Sequence, residues 1–112
     1  MRRAHRIDAN QPDIVAALRA AGATVCSLAG VADGVPDLLV GASGKTALIE
    51  VKDGSRCPSE RRLTPDQRKW RAEWQGGTLA VVCDVESALR VLAVMRAGDE
   101  PATHSARVDV AA

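Results

Sequence analysis

Residues 35–52 read V-P-D-L-L-V-G-A-S-G-K-T-A-L-I-E-V-K, two apolar runs separated by a short polar link that contains glycine. Such a pair of runs around a tight link predicts a β-hairpin. Charges punctuate its open end: Asp37 stands at the mouth of the first run, while Glu50 and Lys52 close the second on either side of Val51. Side chains alternate along a strand, so Glu50 and Lys52 share one face, about 6.5 Å apart, and Val51 points to the other.

The hairpin register decides where Asp37 falls. With a four-residue loop over 42–45, Gly41 pairs with Thr46 and Asp37 lies opposite Glu50. Directly opposed side chains sit about 5 Å apart on one face, where two like charges repel. A two-residue loop or a slip of two residues also keeps both carboxylates on one face, whereas a slip of one separates them. Two convergent carboxylates beside a lysine are most economically explained by a hard divalent cation held by oxygen ligands.

Around this hairpin the 112 residues make one domain, expected over 1–97, with a basic arm at 1–9 and a flexible tail at 98–112. Asn10 reads as the cap of a first helix over 11–21, with Pro12 in its first turn, Ile14, Val15 and Leu18 at helical spacing, and Gly22 as its stop. A first strand follows over 24–31, ending at the turn pair Asp33-Gly34. After the hairpin, a polar loop leads to Thr64, Pro65 and Gln67, the T-x-x-Q of a capping box that opens a second helix running to about 75. Residues 78–83 form an apolar fourth strand. Asp84 then caps a third helix that turns Ala88, Leu89, Leu92 and Met95 toward the sheet. The order is α-β-β-β-α-β-α, an α/β fold in which strands three and four are parallel neighbours in a mixed sheet flanked by helices.

Composition narrows the function classes. There is no Phe or Tyr and there are two Trp, so the core is aliphatic and broad base-stacking platforms are not expected. Trp70 and Trp74, four apart, are expected to pack on the sheet or a dimer partner. Net charge is +1, but residues 52–71 carry seven Lys or Arg against three acids, which concentrates positive charge just after the candidate site. The odd set Cys26, Cys57 and Cys83 argues against a disulfide framework; Cys26 and Cys83 read as small buried apolar residues. His5 and His104 lie in the expected arm and tail without spaced partners, which argues against zinc. No apolar run reaches the length of a membrane span, so a reducing cytoplasm is the expected compartment.

Pro36-Asp37 followed by Glu50-Val51-Lys52 resembles the signature of the PD-(D/E)XK nuclease superfamily. The longer D-G-V-P-D-L-L-V-G with the later L-T-P-D-Q resembles its small, phage-encoded virus-type replication-repair nuclease (VRR-NUC) branch, over roughly residues 8 to 95. The resemblance implies a restriction-endonuclease-like αβββαβ core and phosphodiester hydrolysis with Mg²⁺ or Mn²⁺. It implies Asp37, Glu50 and the Val51 backbone carbonyl as metal ligands and Lys52 as a catalytic residue. Asp13 on the first helix matches an additional family acid, and equally suits the positive end of the helix dipole. Lysine serves as a base at neutral pH only after a large fall in pKa, so charge stabilisation is the role expected of Lys52. Gln67 reads equally as a capping-box member and as a catalytic-site or phosphate contact. Arg61, Arg62, Arg68 and Lys69, with Arg71, become candidate DNA-backbone contacts.

By the same resemblance the expected activity is structure-selective DNA cleavage, that of a Holliday junction resolvase, by a homodimer acting on four-way DNA in a bacterial host's cytoplasm. The bland readings stand beside it. Pro-Asp at a strand start is common turn chemistry, and Glu50 with Lys52 can be a solvated pair worth little. The rival classes are a nucleic-acid-binding protein that keeps the fold without catalysis, and a phage interaction or structural protein.

Overall fold

A computed structural model describes residues 9–53, 63–97 and 107–109. The elements are α1 (Gln11–Ala20), β1 (Thr24–Ser27), β2 (Leu38–Ala42), β3 (Lys45–Val51), α2 (Pro65–Glu73), β4 (Thr78–Val82), α3 (Val85–Ala97) and a short β5 (Arg107–Asp109). Strands β1 to β4 form a mixed sheet in sequence order: β1, β2 and β3 are an antiparallel meander, and β4 lies parallel to β3. Of the tail, Arg107–Asp109 adds in parallel to β4; the rest of 98–112 lies outside the described residues, as do the arm over 1–8 and the loop over 54–62.

The hairpin has the register read from the sequence, with Gly41 opposite Thr46 and Leu38 opposite Ile49. The loop is tighter than expected, because Ala42 and Lys45 also pair and leave only Ser43 and Gly44 to turn. Both have positive φ, 55° and 76°. That is the left-handed pair whose twist matches the flanking strands, and glycine takes it without strain.

Pleating sorts the sheet into two faces. Ala47, Ile49 and Val51 of β3, with Leu38, Val40, Ala80 and Val82, pack against Ile14 and Leu18 of α1 and Ala88, Val91, Leu92 and Met95 of α3. The intervening positions, Leu48, Glu50, Leu79, Val81 and Cys83, face the opposite side and are also buried. α2 belongs to that second side and contains no buried residue of its own.

Four local expectations are corrected. β1 stops at Ser27 rather than 31, and Cys26 is exposed because its side of the edge strand faces away from the core. Leu89 is 37% exposed while Val91 is buried, since the inward stripe of α3 runs through 88, 91, 92 and 95. Asn10 makes no side-chain cap for α1. The other caps are as expected: Thr64 and Gln67 form a reciprocal capping box, and the Ser87 N–H donates to Asp84 Oδ1 at 2.7 Å.

Candidate active site

The C-terminal end of β3 delivers Glu50 and Lys52 to the face shared with α2. Their side chains are only 9% and 12% exposed, and Lys52 Nζ lies 3.8 Å from Glu50 Oε2. Gln67 joins the two. Its Nε2 donates to Glu50 Oε2 at 2.8 Å, and its Oε1 accepts from Lys52 Nζ at 2.9 Å. The amide orientation is dictated by its neighbours: a lysine ammonium has only donors and an ionised carboxylate only acceptors.

The same Oε1 accepts from the Thr64 N–H at 2.9 Å, while the Gln67 N–H donates to Thr64 Oγ1 at 3.1 Å. Gln67 is therefore at once the third residue of the capping box and the bridge between Glu50 and Lys52. The first turn of α2 is tied to the strand end through this one side chain. Burying a charged pair is tolerated only where further hydrogen bonds satisfy its atoms, and the Gln67 amide supplies them.

Asp37 sits one residue before β2, and the hairpin register carried one step past Leu38–Ile49 sets it opposite Glu50 on the same face. Its Oδ2 accepts from the Val51 N–H at 2.7 Å, and its backbone carbonyl accepts from the Leu28 N–H. In an extended strand the N–H and C=O of one residue point to the same side. The Val51 carbonyl is thus directed toward the Asp37 side, whereas the Lys52 N–H turns the other way, to the Val82 carbonyl.

The loop carrying Asp37 is itself braced on α2. Gly34 has φ +84°, and a Cβ there would stand 2.5 Å from the Asp66 carbonyl oxygen and 3.3 Å from Trp70 Cβ. Trp70 and Trp74 stack on each other with centroids 5.0 Å apart, half-buried, and Trp74 Nε1 donates to the Gly77 carbonyl. Trp70 lies beside Gly34 and Trp74 lies against Gly76 and Gly77, so neither belongs to the buried core.

The donor set suits a small hard cation. Two carboxylates and a backbone carbonyl are oxygen ligands, and Mg²⁺ commonly keeps several waters and takes one or two carboxylates from protein. Among the described residues no three His, Cys, Asp or Glu side chains gather, so Asp13, exposed in the first turn of α1, does not make a triad with Asp37 and Glu50. Arg68 and Lys69 are exposed on α2 and Arg71 is half-buried; Arg61 and Arg62 lie outside the described residues.

One contact at the site was not foreseen. Asn10 Nδ2 donates to the Lys52 carbonyl at 3.1 Å and to the Cys83 carbonyl at 2.8 Å. An Asn at a helix start reads locally as a cap, and no signal in the chain reveals a partner 73 residues away.

Comparison with protein-family models, characterised proteins and solved structures gives no significant match. No helix among the described residues is long and apolar enough to cross a membrane.

Proposed function

We propose that this chain is a Mg²⁺-dependent, structure-selective DNA endonuclease of the PD-(D/E)XK kind, acting on four-way junctions as a homodimer. The observation that carries the reading is the Glu50–Gln67–Lys52 cluster, in which Glu50 is buried and Gln67 and Lys52 are half-buried, with Asp37 opposite Glu50 on the same face. A solvated surface pair would be more exposed than 9% and 12%, and would not be bridged by a side chain that also caps a helix. The αβββαβ order and the mixed sheet agree with the restriction-endonuclease-like core that the resemblance implies.

In this reading Asp37, Glu50 and the Val51 carbonyl hold the ion. Mg²⁺ or Mn²⁺ held by these residues would supply polarisation of a phosphate and a bound water of lowered pKa. Gln67 fixes the orientation of Glu50 and Lys52 before substrate arrives, which avoids reorganisation during reaction. Lys52 offers its ammonium to charge developing on the phosphate oxygens. Arg68 and Lys69 contact the DNA backbone, which positions the duplex without reading its sequence. A two-fold dimer with two such sites suits paired cuts across a four-way junction.

The test is incubation of purified protein with labelled linear, flap and four-way DNA, with and without Mg²⁺. Metal-dependent nicking with preference for the four-way substrate is expected. Binding of that substrate with no cleavage at any Mg²⁺ concentration would make the chain a nucleic-acid-binding protein instead.

A further inference from the structure

The ladder between β3 and β4 ends at Val51–Val82, and the next hydrogen bond runs from the Lys52 N–H to the Val82 carbonyl. Beyond it the two strand ends are held by the side chain of Asn10, whose single amide nitrogen donates to the carbonyls of both Lys52 and Cys83. Asn10 stands immediately before α1, where a side chain ordinarily accepts a backbone N–H of the first turn. It does not do so here, and its Oδ1 is buried without a partner among the described residues. Asp, Ser or Thr would serve equally as caps, but only an amide offers two N–H groups to two carbonyl oxygens. The residue type is thus explained by the strand ends and not by the helix.

We infer that Asn10 is a positioning residue for Lys52. It fixes the backbone at the far end of β3, on the core side of the sheet, so that the Lys52 side chain leaves toward Glu50 and Gln67 on the other side. Its consequence for catalysis rests on the endonuclease reading; its consequence for the Lys52 side chain does not.

Asn10→Asp separates this from a helix-stabilising role. Asp keeps the shape and can cap α1, yet it turns a carboxylate oxygen toward two carbonyl oxygens. The chain has three lysines, Lys45, Lys52 and Lys69, so acetylation of the folded protein by acetic anhydride, followed by peptide mass spectrometry, reads Lys52 against two internal references. Lys52 is the protected one, and its rate relative to Lys69 should rise several-fold in Asn10→Asp. Ile14→Val, which removes a buried methylene from α1 and keeps both the Ile14 N–H bond to the Asn10 carbonyl and the two bonds of the Asn10 side chain, should leave that ratio unchanged. Asn10→Ser, which retains a single donor, should fall between, and serves alone if Asn10→Asp does not fold.

In cleavage assays Asn10→Asp should lower kcat on the order of 100-fold, the scale of a misplaced catalytic group, with KM for DNA unchanged. A Lys52 ratio equal to wild type in the folded Asn10 variants, or raised equally by Ile14→Val, overturns the inference. Absence of cleavage by the wild-type protein would retire the endonuclease reading and leave the lysine result to decide the role of Asn10.

Discussion

Replacing Gly34 by alanine should uncouple α2 from the site. The new Cβ would stand 2.5 Å from the Asp66 carbonyl oxygen and 2.9 Å from its carbon, where real contacts stay above 3.0 Å. Both partners are backbone, so no rotamer change relieves the collision, and the first turn of α2 must move by at least about half an ångström. The substitution also pays for a left-handed φ of +84°, about 1–2 kcal/mol for a residue with a Cβ. Gly44→Ala is the matched control: its φ is +76°, and nothing lies within 4 Å of the added methyl. Overpacking adds about 1–3 kcal/mol, so Gly34→Ala should be the more destabilising of the two by that margin. At roughly 4–8 °C per kcal/mol for a domain near this size, the gap is readable by thermal or urea unfolding. Because α2 buries no residue, part of the strain should appear as movement of the helix, with faster hydrogen exchange at the Gln67 amide in Gly34→Ala only. Equal losses in the two variants, with equal protection of Gln67, would refute the argument that Gly34 braces the site.

Gln67→Leu leaves Glu50, Lys52 and the Thr64 N–H without their shared partner, and should cost about 1–3 kcal/mol by urea unfolding. Ser43→Asn should raise the unfolding midpoint, because Ser43 holds φ 55° and asparagine tolerates the left-handed region better; the gain should be a few tenths of a kcal/mol, on the order of the cap and turn effects. If Arg68 and Lys69 each neutralise one phosphate, the double substitution to alanine should reduce the slope of log K against log salt by about 1.8 while leaving structure preference intact; a fluorescence-anisotropy salt series reads both.

How far the sequence carried the reading differs from element to element. The hairpin register was legible because alternation fixes which face each residue takes, and a slip of one would have turned Glu50 into the core. The capping box at Thr64 and Gln67 was legible because its partners are three residues apart. Leu89 was misplaced because several apolar residues on α3 compete for one stripe, and only packing against the sheet selects Val91 over it. Cys26 was misplaced because a strand pattern does not say whether its second face is covered. The contacts of Asn10 and the brace at Gly34 join segments far apart in the chain, and neither leaves a periodic trace.

The central claim is that Asp37 and Glu50 hold a divalent ion beside Lys52 for phosphodiester hydrolysis. It is tested most directly by cleavage and binding of labelled four-way DNA by Glu50→Gln in Mg²⁺. The substitution keeps the size of the side chain and removes the charge that an ion requires. The account predicts that cleavage is abolished while DNA affinity is retained; cleavage at the wild-type rate would contradict it.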